Sequence, residues 1–309
     1  MKIALAQLNF HIGNFESNTD KIIQTIQRAK ADGADLVVFP ELAVCGYPPL
    51  DFLDFRDFIR KCLASINTIA EHTQGIGVIV GSPSFNPVLK GKNLFNSAFF
   101  IQDGKTAGIV HKALLPNYDV FDEYRYFEPG RHSPCIDCNG TKMALTICED
   151  LWNEEDDPLY QFCPMDELIT EHPQLIINIA ASPFDYQHAE KRKSILKRNA
   201  LKYNLPVVYV NHVGGQTEML FDGGSLVMNE KGEVIHQMKY FREDYCVIDF
   251  PFKTKTPVTR KEPDKIERIH KALIMGIRDY FGKQGFKQAT LGLSGGIDSA
   301  IVLALATEA

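Results

Sequence analysis

The 309-residue sequence has no apolar run approaching the roughly 18 residues that a membrane span requires. Its first residues, MKIALAQLNF, lack both the long apolar core and the small-residue cleavage site of an export signal. A chain that is neither secreted nor membrane-embedded is expected. Excess positive charge is also missing: 33 Lys and Arg stand against 39 Asp and Glu, a formal net charge of -6. That balance argues against a dedicated nucleic-acid surface and for small-molecule partners. Cysteine is sparse, with seven residues at 45, 62, 135, 138, 148, 163 and 246. An odd, scattered set is no disulfide framework in a chain this long and fits a reducing cytoplasm. CIDC (135–138) is a single CxxC with no second pair, so it reads as a hairpin beside a turn, and no metal site is expected. NGT (139–141) matches a glycosylation sequon, which has no meaning in a cytoplasmic protein.

What the sequence does hold is a dense alternation of short apolar runs and helical patterns. Hydrophobic residues make up 45% and charged residues 23%, ordinary for a globular protein. The length accommodates one large α/β domain and part of another. Ile3 and Leu5 alternate with Lys2 and Ala4 as in a strand, and Ile22, Ile23, Ile26 and Ala29 then follow a helical spacing. Runs at 36–39, 76–81, 97–101, 107–110, 143–148, 175–180, 207–210, 225–228 and 246–250 are short and mostly rich in β-branched or aromatic residues, which predicts strands. Helices are predicted over 55–73 and 188–203, and DGK (103–105), CNGT (138–141) and NEKGE (229–233) predict hairpin-like corners. Within the second helix KRKSILKRNALK is basic, but Ile195, Leu196, Ala200 and Leu201 give it an apolar face, so its charges read as a solvated outer face. So many strands with interspersed helices imply packed sheets covered by helices, an α/β class.

At 251–264, PFKTKTPVTRKEPD holds three prolines, six charges and almost nothing to bury, and reads as a linker. The predicted organisation is a domain over 1–250, a linker over 251–263 and a second unit over 264–309. In that unit Ile266, Ile269, Leu273, Ile277 and Tyr280 stand at helical spacing before stop signals at Gly282 and Gly285. KQATLGL (287–293) predicts a strand, and SGGIDSAIVLALATEA turns from it into a helix. These 46 residues are fewer than the roughly 55 to 65 at which domains begin to fold unaided, so the beginning of a second domain is expected.

Three apolar runs deliver a reactive group at their ends: LVVFPE gives Glu41, AGIVHK gives Lys112 and MALTIC gives Cys148. Loops after strand ends are where α/β folds assemble sites. A thiol is poorly ionised at neutral pH; Glu41 can take its proton, Lys112 can stabilise the thiolate and a developing oxyanion, and the same glutamic acid can protonate a leaving amine. Spacing alone does not make the three strand ends neighbours, and a Cys after an apolar strand is usually a small buried hydrophobe. Trp152, just past CED, is expected to pack near the nucleophile rather than to act in chemistry. In SGGIDS (294–299), small residues let the N–H groups of Ser294, Gly295 and Gly296 approach a phosphate, and the hydroxyls of Ser294 and Ser299 add donors. The following helix offers its positive N-terminus, with Asp298 at its start as a cap or as partner of a magnesium-linked phosphate. A glycine-rich turn with an ordinary cap is the plainer reading of the same residues.

FPELAVCGYPP, HKALLPNYDVFDEYRYFEPG and LTICEDLW, continued by NIAASPF and VNHVGGQTEMLFDGGS, resemble the nitrilase superfamily, and within it the glutaminases joined to NAD-forming synthetases. The resemblance covers residues 1–250. It implies a four-layer α-β-β-α sandwich in which Glu41 is the general base, Lys112 the oxyanion-stabilising cation and Cys148 the nucleophile that forms a thioester with glutamine. It also implies that Glu123 in VFDE positions the lysine or the attacking water, and that Tyr118 and Ser182 hold L-glutamine. Six residues after that serine the family usually carries Lys or Arg, which can pair with the substrate carboxylate. This chain has His188, a weaker partner when neutral, with Lys191 or Arg192 as substitutes. Thr217 stands where an acidic residue is expected, and Glu218 is retained.

SGGIDS is similar to the pyrophosphate-binding loop of N-type ATP pyrophosphatases, and differs from a Walker loop, which needs Lys after its last Gly. That implies the beginning of a Rossmann-like α/β domain binding ATP, with Mg2+, through Ser294, Gly295, Gly296, Asp298 and Ser299. The two resemblances together imply glutamine hydrolysis without a cofactor, and passage of ammonia to a site where ATP adenylates nicotinic acid adenine dinucleotide and ammonia displaces AMP to give NAD. A sheltered passage keeps ammonia unprotonated and reactive. Relatives of this fold commonly associate through their sandwiches, which implies a homo-oligomer. Two other readings remain: a stand-alone amidase with a vestigial tail, and a nitrilase-like binding scaffold with an inert Cys148. An N-terminal-nucleophile amidotransferase would need Cys after Met, and residue 2 is Lys.

Overall fold

The computed structural model describes residues 1–88, 90–131, 134–153, 159–252 and 264–309; all but the first two residues of the 251–263 segment lie outside them. Strand β1 (Lys2–Gln7) shows how the layers arise. Its Ile3 and Leu5 enter one core while Ala4 and Ala6 enter another, because successive side chains point to opposite faces. The same two-sided burial recurs in β2 (Leu36–Val38), β3 (Gly77–Phe85) and β4 (Leu94–Gln102), whereas β5 (Lys105–His111) is a more exposed edge. Helices α1 (Phe15–Ala31), capped by Asn14, and α2 (Arg56–Ala70) cover the outer face with Ile22, Ile26, Ile59, Ile66 and Ile69. Each such side chain contributes about 1.5–3 kcal/mol on full burial, which fixes the helices to the sheet. A single turn, α3 (Glu123–Tyr126), follows β5.

The second sheet begins with the hairpin of β6 (Ile136–Cys138) and β7 (Thr141–Ile147), turning at CNGT as predicted. After α4 (Pro164–Leu168) come β8 (Leu175–Ala180), α5 (His188–Tyr203) and β9 (Val207–Asn211), with β7, β8 and β9 parallel. Strands β10 (Val213–Gln216) and β11 (Met219–Asp222) form a separate hairpin, and β12 (Leu226–Met228) and β13 (Val234–Gln237) complete the sheet. Strand β14 (Asp244–Asp249) returns to pair antiparallel with β1. Among the described residues the orders are β14-β1-β2-β3-β4-β5 and β13-β12-β9-β8-β7-β6. One core, with Ile3, Leu5, Val38 and Ile79 against Met143, Leu145 and Ile177, lies between the sheets. The result is the predicted α-β-β-α sandwich.

Helices α6 (Lys265–Gln284) and α7 (Ile297–Glu308) follow, and α6 packs against β10. Two expectations need correction. Residues 287–293 form no strand, since a strand needs a ladder partner and none among the described residues pairs with them. Along α6, which forms as predicted, Ile266, Leu273 and Tyr280 are exposed, while Ala272, Ile274 and Met275 are buried. On α5, Leu201 is exposed and the polar Arg192 and Asn199 are buried beside Ile195, Leu196 and Ala200. Helix α7 buries no residue, leaving Ile297, Ile301, Val302 and Leu303 exposed.

Each of the seven cysteines lies outside any disulfide. Among the described residues no helix is long and apolar enough to cross a membrane, and no group of three or more His, Cys, Asp or Glu is placed to hold a metal ion.

Candidate active site

Each reactive group stands just beyond a strand. The Glu41 loop lies directly on β3, and only a glycine permits that: a Cβ on Gly81 would stand 2.2 Å from the Leu42 nitrogen. Lys112 follows β5 and its N–H donates to the Asn96 carbonyl across the sheet at 2.8 Å. Glu123 opens α3. Cys148 is not the last residue of its strand, as predicted, but the first of a 3-10 turn, Cys148–Leu151, that follows β7. Its φ of +45° is strained for a residue with a Cβ, a cost that recurs where a turn must present a nucleophile.

These four residues converge in a buried cluster. Lys112 Nζ donates to Glu41 Oε1 at 2.8 Å and to Glu123 Oε1 at 2.7 Å. Asn96 Nδ2 donates to Glu41 Oε1 at 2.7 Å and to Glu123 Oε2 at 3.2 Å, so a single amide bridges both carboxylates. The Ala181 N–H donates to Glu41 Oε2 at 2.9 Å, and the Tyr47 hydroxyl to Glu123 Oε1 at 2.8 Å. Burial, opposed by the Lys112 charge and reinforced by Glu123, pushes the Glu41 carboxyl up to about 7. Burial opposes charge on Lys112, but Glu123 and Glu41 outweigh it and hold the ammonium protonated well above its usual range. The Cys148 thiol is pushed up by burial and then by the Glu41 charge, so it rests neutral beside a carboxylate poised to accept its proton.

The remaining predicted residues fall around this cluster. Tyr118 and Tyr160 both donate to Glu149 Oε1, at 2.8 and 3.1 Å, which puts a buried carboxylate next to the nucleophile. Ser182 adjoins Ala181; its N–H donates to Asn211 Oδ1 at 2.8 Å, and its hydroxyl accepts from Arg192 at 3.4 Å. His188 lies against Trp152, ring centroids 4.9 Å apart, and burial pushes its imidazole down to about 4, so it is neutral. Arg192 is no substitute for it: its guanidinium is locked to Asp222, Nη2 to Oδ2 at 3.0 Å, in a buried pair. Trp152 is the C-cap of the nucleophile turn. Thr217 and the exposed Glu218 lie in the β10–β11 turn.

Sequence reading missed four contributors. Asn96 and Tyr47 bind the glutamates. Asp150 accepts from the N–H groups of Ala113 and Leu114 and, through its other oxygen, of Ile147, each at 2.9 Å. It thereby ties the exit of Lys112 to the entry of Cys148. His212 is buried, with Nε2 2.5 Å from the Glu41 carbonyl oxygen. A polar side chain within an apolar run, as in FNSA and VNH, was the available signal.

The residues predicted to bind ATP form a loop at the start of α7. Ser294 and Ser299 hydroxyls lie 3.0 Å apart, Gly295 has φ +85°, and Gly296 caps the helix. Asp298 sits in the first turn, without a capping hydrogen bond.

The carbon-nitrogen hydrolase family model matches residues 2–258. The chain belongs to the carbon-nitrogen hydrolase family. A second model, NAD synthase, matches residues 269–309. Among its relatives, the glutamine-dependent NAD(+) synthetase of Synechocystis sp. is 40% identical over 99% of the chain and 57% of the relative. That of Thermotoga maritima is 36% identical over the whole chain and 58% of the relative. The chain therefore spans less than two thirds of their length. The structure of glutamine-dependent NAD+ synthetase from Acinetobacter baumannii, in complex with ADP, superposes with a TM-score of 0.90 at 35% identity, over 99% of this chain and 57% of that one. An amidase from Nesterenkonia sp. shares the fold, with a TM-score of 0.69 at 23% identity over 81% of this chain and 90% of that one.

Proposed function

We propose that residues 1–250 hydrolyse L-glutamine and supply ammonia to an ATP-dependent unit that begins, after a linker over 251–263, at residue 264. The observation that carries this reading is the buried Glu41–Lys112–Glu123 triangle beside the strained Cys148, in one chain with a segment matched by the NAD synthase model. Glu41 takes the Cys148 proton as sulfur attacks the side-chain amide carbon. Two Lys112 donors are engaged by the carboxylates, and the third meets the developing oxyanion. Glu41 returns the proton to the leaving nitrogen, ammonia departs and a glutamyl thioester remains. Water, losing its proton to Glu41, then releases glutamate and the thiol.

Glu149, held by two tyrosines including Tyr118, suits the substrate ammonium, while Ser182 and the neutral His188 supply uncharged contacts, His188 to the α-carboxylate. In the second unit, Ser294, Gly295, Gly296 and Ser299 take the phosphates of ATP, with Asp298 the one carboxylate of the loop suited to their Mg2+. There, ATP activates nicotinic acid adenine dinucleotide and ammonia completes NAD. Cytoplasmic location and homo-oligomeric assembly belong to the same reading. The stand-alone amidase loses ground because α6, in the second matched segment, is docked on the sandwich rather than detached from it.

The test is ammonia release from L-glutamine by the chain and by Cys148→Ala, with intact-mass detection of the thioester. Cysteine-dependent release is expected, and Glu41→Gln should lower kcat/KM about 10²- to 10⁴-fold. Release that survives in Cys148→Ala overturns the assignment.

A further inference from the structure

Beside its buried Ala272, Ile274 and Met275, helix α6 meets the sandwich through polar groups. Asp279 Oδ2 accepts from Asn9 Nδ2 at 2.8 Å and from the Gly215 N–H at 2.6 Å. Lys283 Nζ donates to Asn9 Oδ1 at 2.7 Å, the Phe10 carbonyl at 2.9 Å and the Gly215 carbonyl at 2.8 Å, which uses all three ammonium protons. Both ends of the Asn9 amide are thus held by α6. Its backbone is held from the other side, the N–H by Glu243 at 2.8 Å and the carbonyl by Lys21 at 2.7 Å. Two glycines make the room: a Cβ on Gly214 (φ +117°) would stand 2.3 Å from Asn9 Oδ1, and one on Gly215 would stand 3.3 Å from both Asp279 and Gly276.

The clamped groups lead straight to the reacting cluster. The Phe10 ring meets the His212 imidazole edge-on, centroids 5.6 Å apart. His212 lies three residues before Gly215, and its Nε2 reaches the Glu41 carbonyl, while its Nδ1 has no hydrogen-bond partner among the described residues. One polar contact and the packing of Phe10 and Phe221 therefore hold the ring.

We propose that α6 is the positioning element of the general base: the Asp279–Lys283 clamp on Asn9 and Gly215 fixes Phe10 and His212, and His212 fixes the main chain of Glu41. Seating of α6 then sets the rate at which Cys148 attacks. This rests on the reading of Glu41 as base.

In the full chain, Lys283→Met and the isosteric Asp279→Asn should each lower kcat for glutamine hydrolysis about 3- to 30-fold with KM unchanged, and Lys283→Arg should restore part of the loss. Adding Lys283→Met to His212→Phe should cause no further loss, because the contact through which the clamp acts is already gone. Thermal melting establishes that the variants fold. Unchanged kcat in both clamp variants, or multiplicative losses in the double variant, overturns the proposal. Alkylation of Cys148 by iodoacetamide gives a readout without glutamine. Slowed alkylation in folded clamp variants of a parent that does not hydrolyse glutamine sinks the substrate reading and leaves the clamp standing; alkylation at the parental rate sinks the clamp.

Discussion

Asn96 brings two carboxylates of like charge to one amide and so takes part in how Glu41 titrates. Burial raises the Glu41 carboxyl, Lys112 lowers it, Glu123 raises it again and the Asn96 N–H adds a smaller lowering effect, and the balance falls at about 7. A base must be deprotonated to act, so kcat/KM for glutamine should rise with pH along a limb centred near 7. Asn96→Leu removes a donor to the carboxylate and should move that limb upward by about one pH unit, read from a pH–rate profile. A limb that stays in place would mean that another group is the base. Glu41, Lys112 and Cys148 were legible in the sequence because each ends an apolar run with a reactive group. Asn96 was not, because a polar residue inside FNSA announces only that something polar faces it. Which residues those are depends on strand pairing across 55 positions for Glu41.

At the scale of elements, α5 shows what a buried ion pair does. Arg192 projects into the sandwich and is matched by Asp222 on β11, so the helix is tied to the hairpin that follows the site. Arg192→Met leaves Asp222 buried without its partner and should cost about 3–5 kcal/mol in urea unfolding, while Arg192→Met with Asp222→Leu should recover much of it. Equal losses in the single and double variants would show that packing, not the unpaired charge, is responsible. The same pair explains a misreading: apolar periodicity located α5 to the residue, but it assigned the charges of KRKSILKRNALK to solvent. Helix α6 repeats the lesson. Its hydrophobic stripe was real, yet the groups that dock include Gly276, Asp279 and Lys283, which carry no periodic apolar signal. The segment 287–293 has the composition of a strand and, among the described residues, no neighbour to pair with, and composition cannot supply one.

For the molecule as a whole, the sandwich satisfies itself and α7 does not. A helix apolar on all sides belongs in a core, and here Ile297 is 72% and Ile301 50% exposed. The chain should therefore self-associate in a concentration-dependent way, and Ile297→Glu with Ile301→Lys should lower its light scattering at equal concentration. Scattering unaffected by the double change would place the sticky surface elsewhere. The sandwich has its own demand, and it is one of time. β1 pairs along its length with β14, and the Met1 amino group donates to the Phe250 carbonyl at 2.9 Å. At roughly 5–20 residues per second of synthesis, β14 emerges about 10–50 s after β1. Throughout that interval one edge of β1 is an open template for any passing strand. How much of this protein reaches its native form in a cell is accordingly governed by translation speed and by whatever shields that edge, as well as by the stability of the finished sheet.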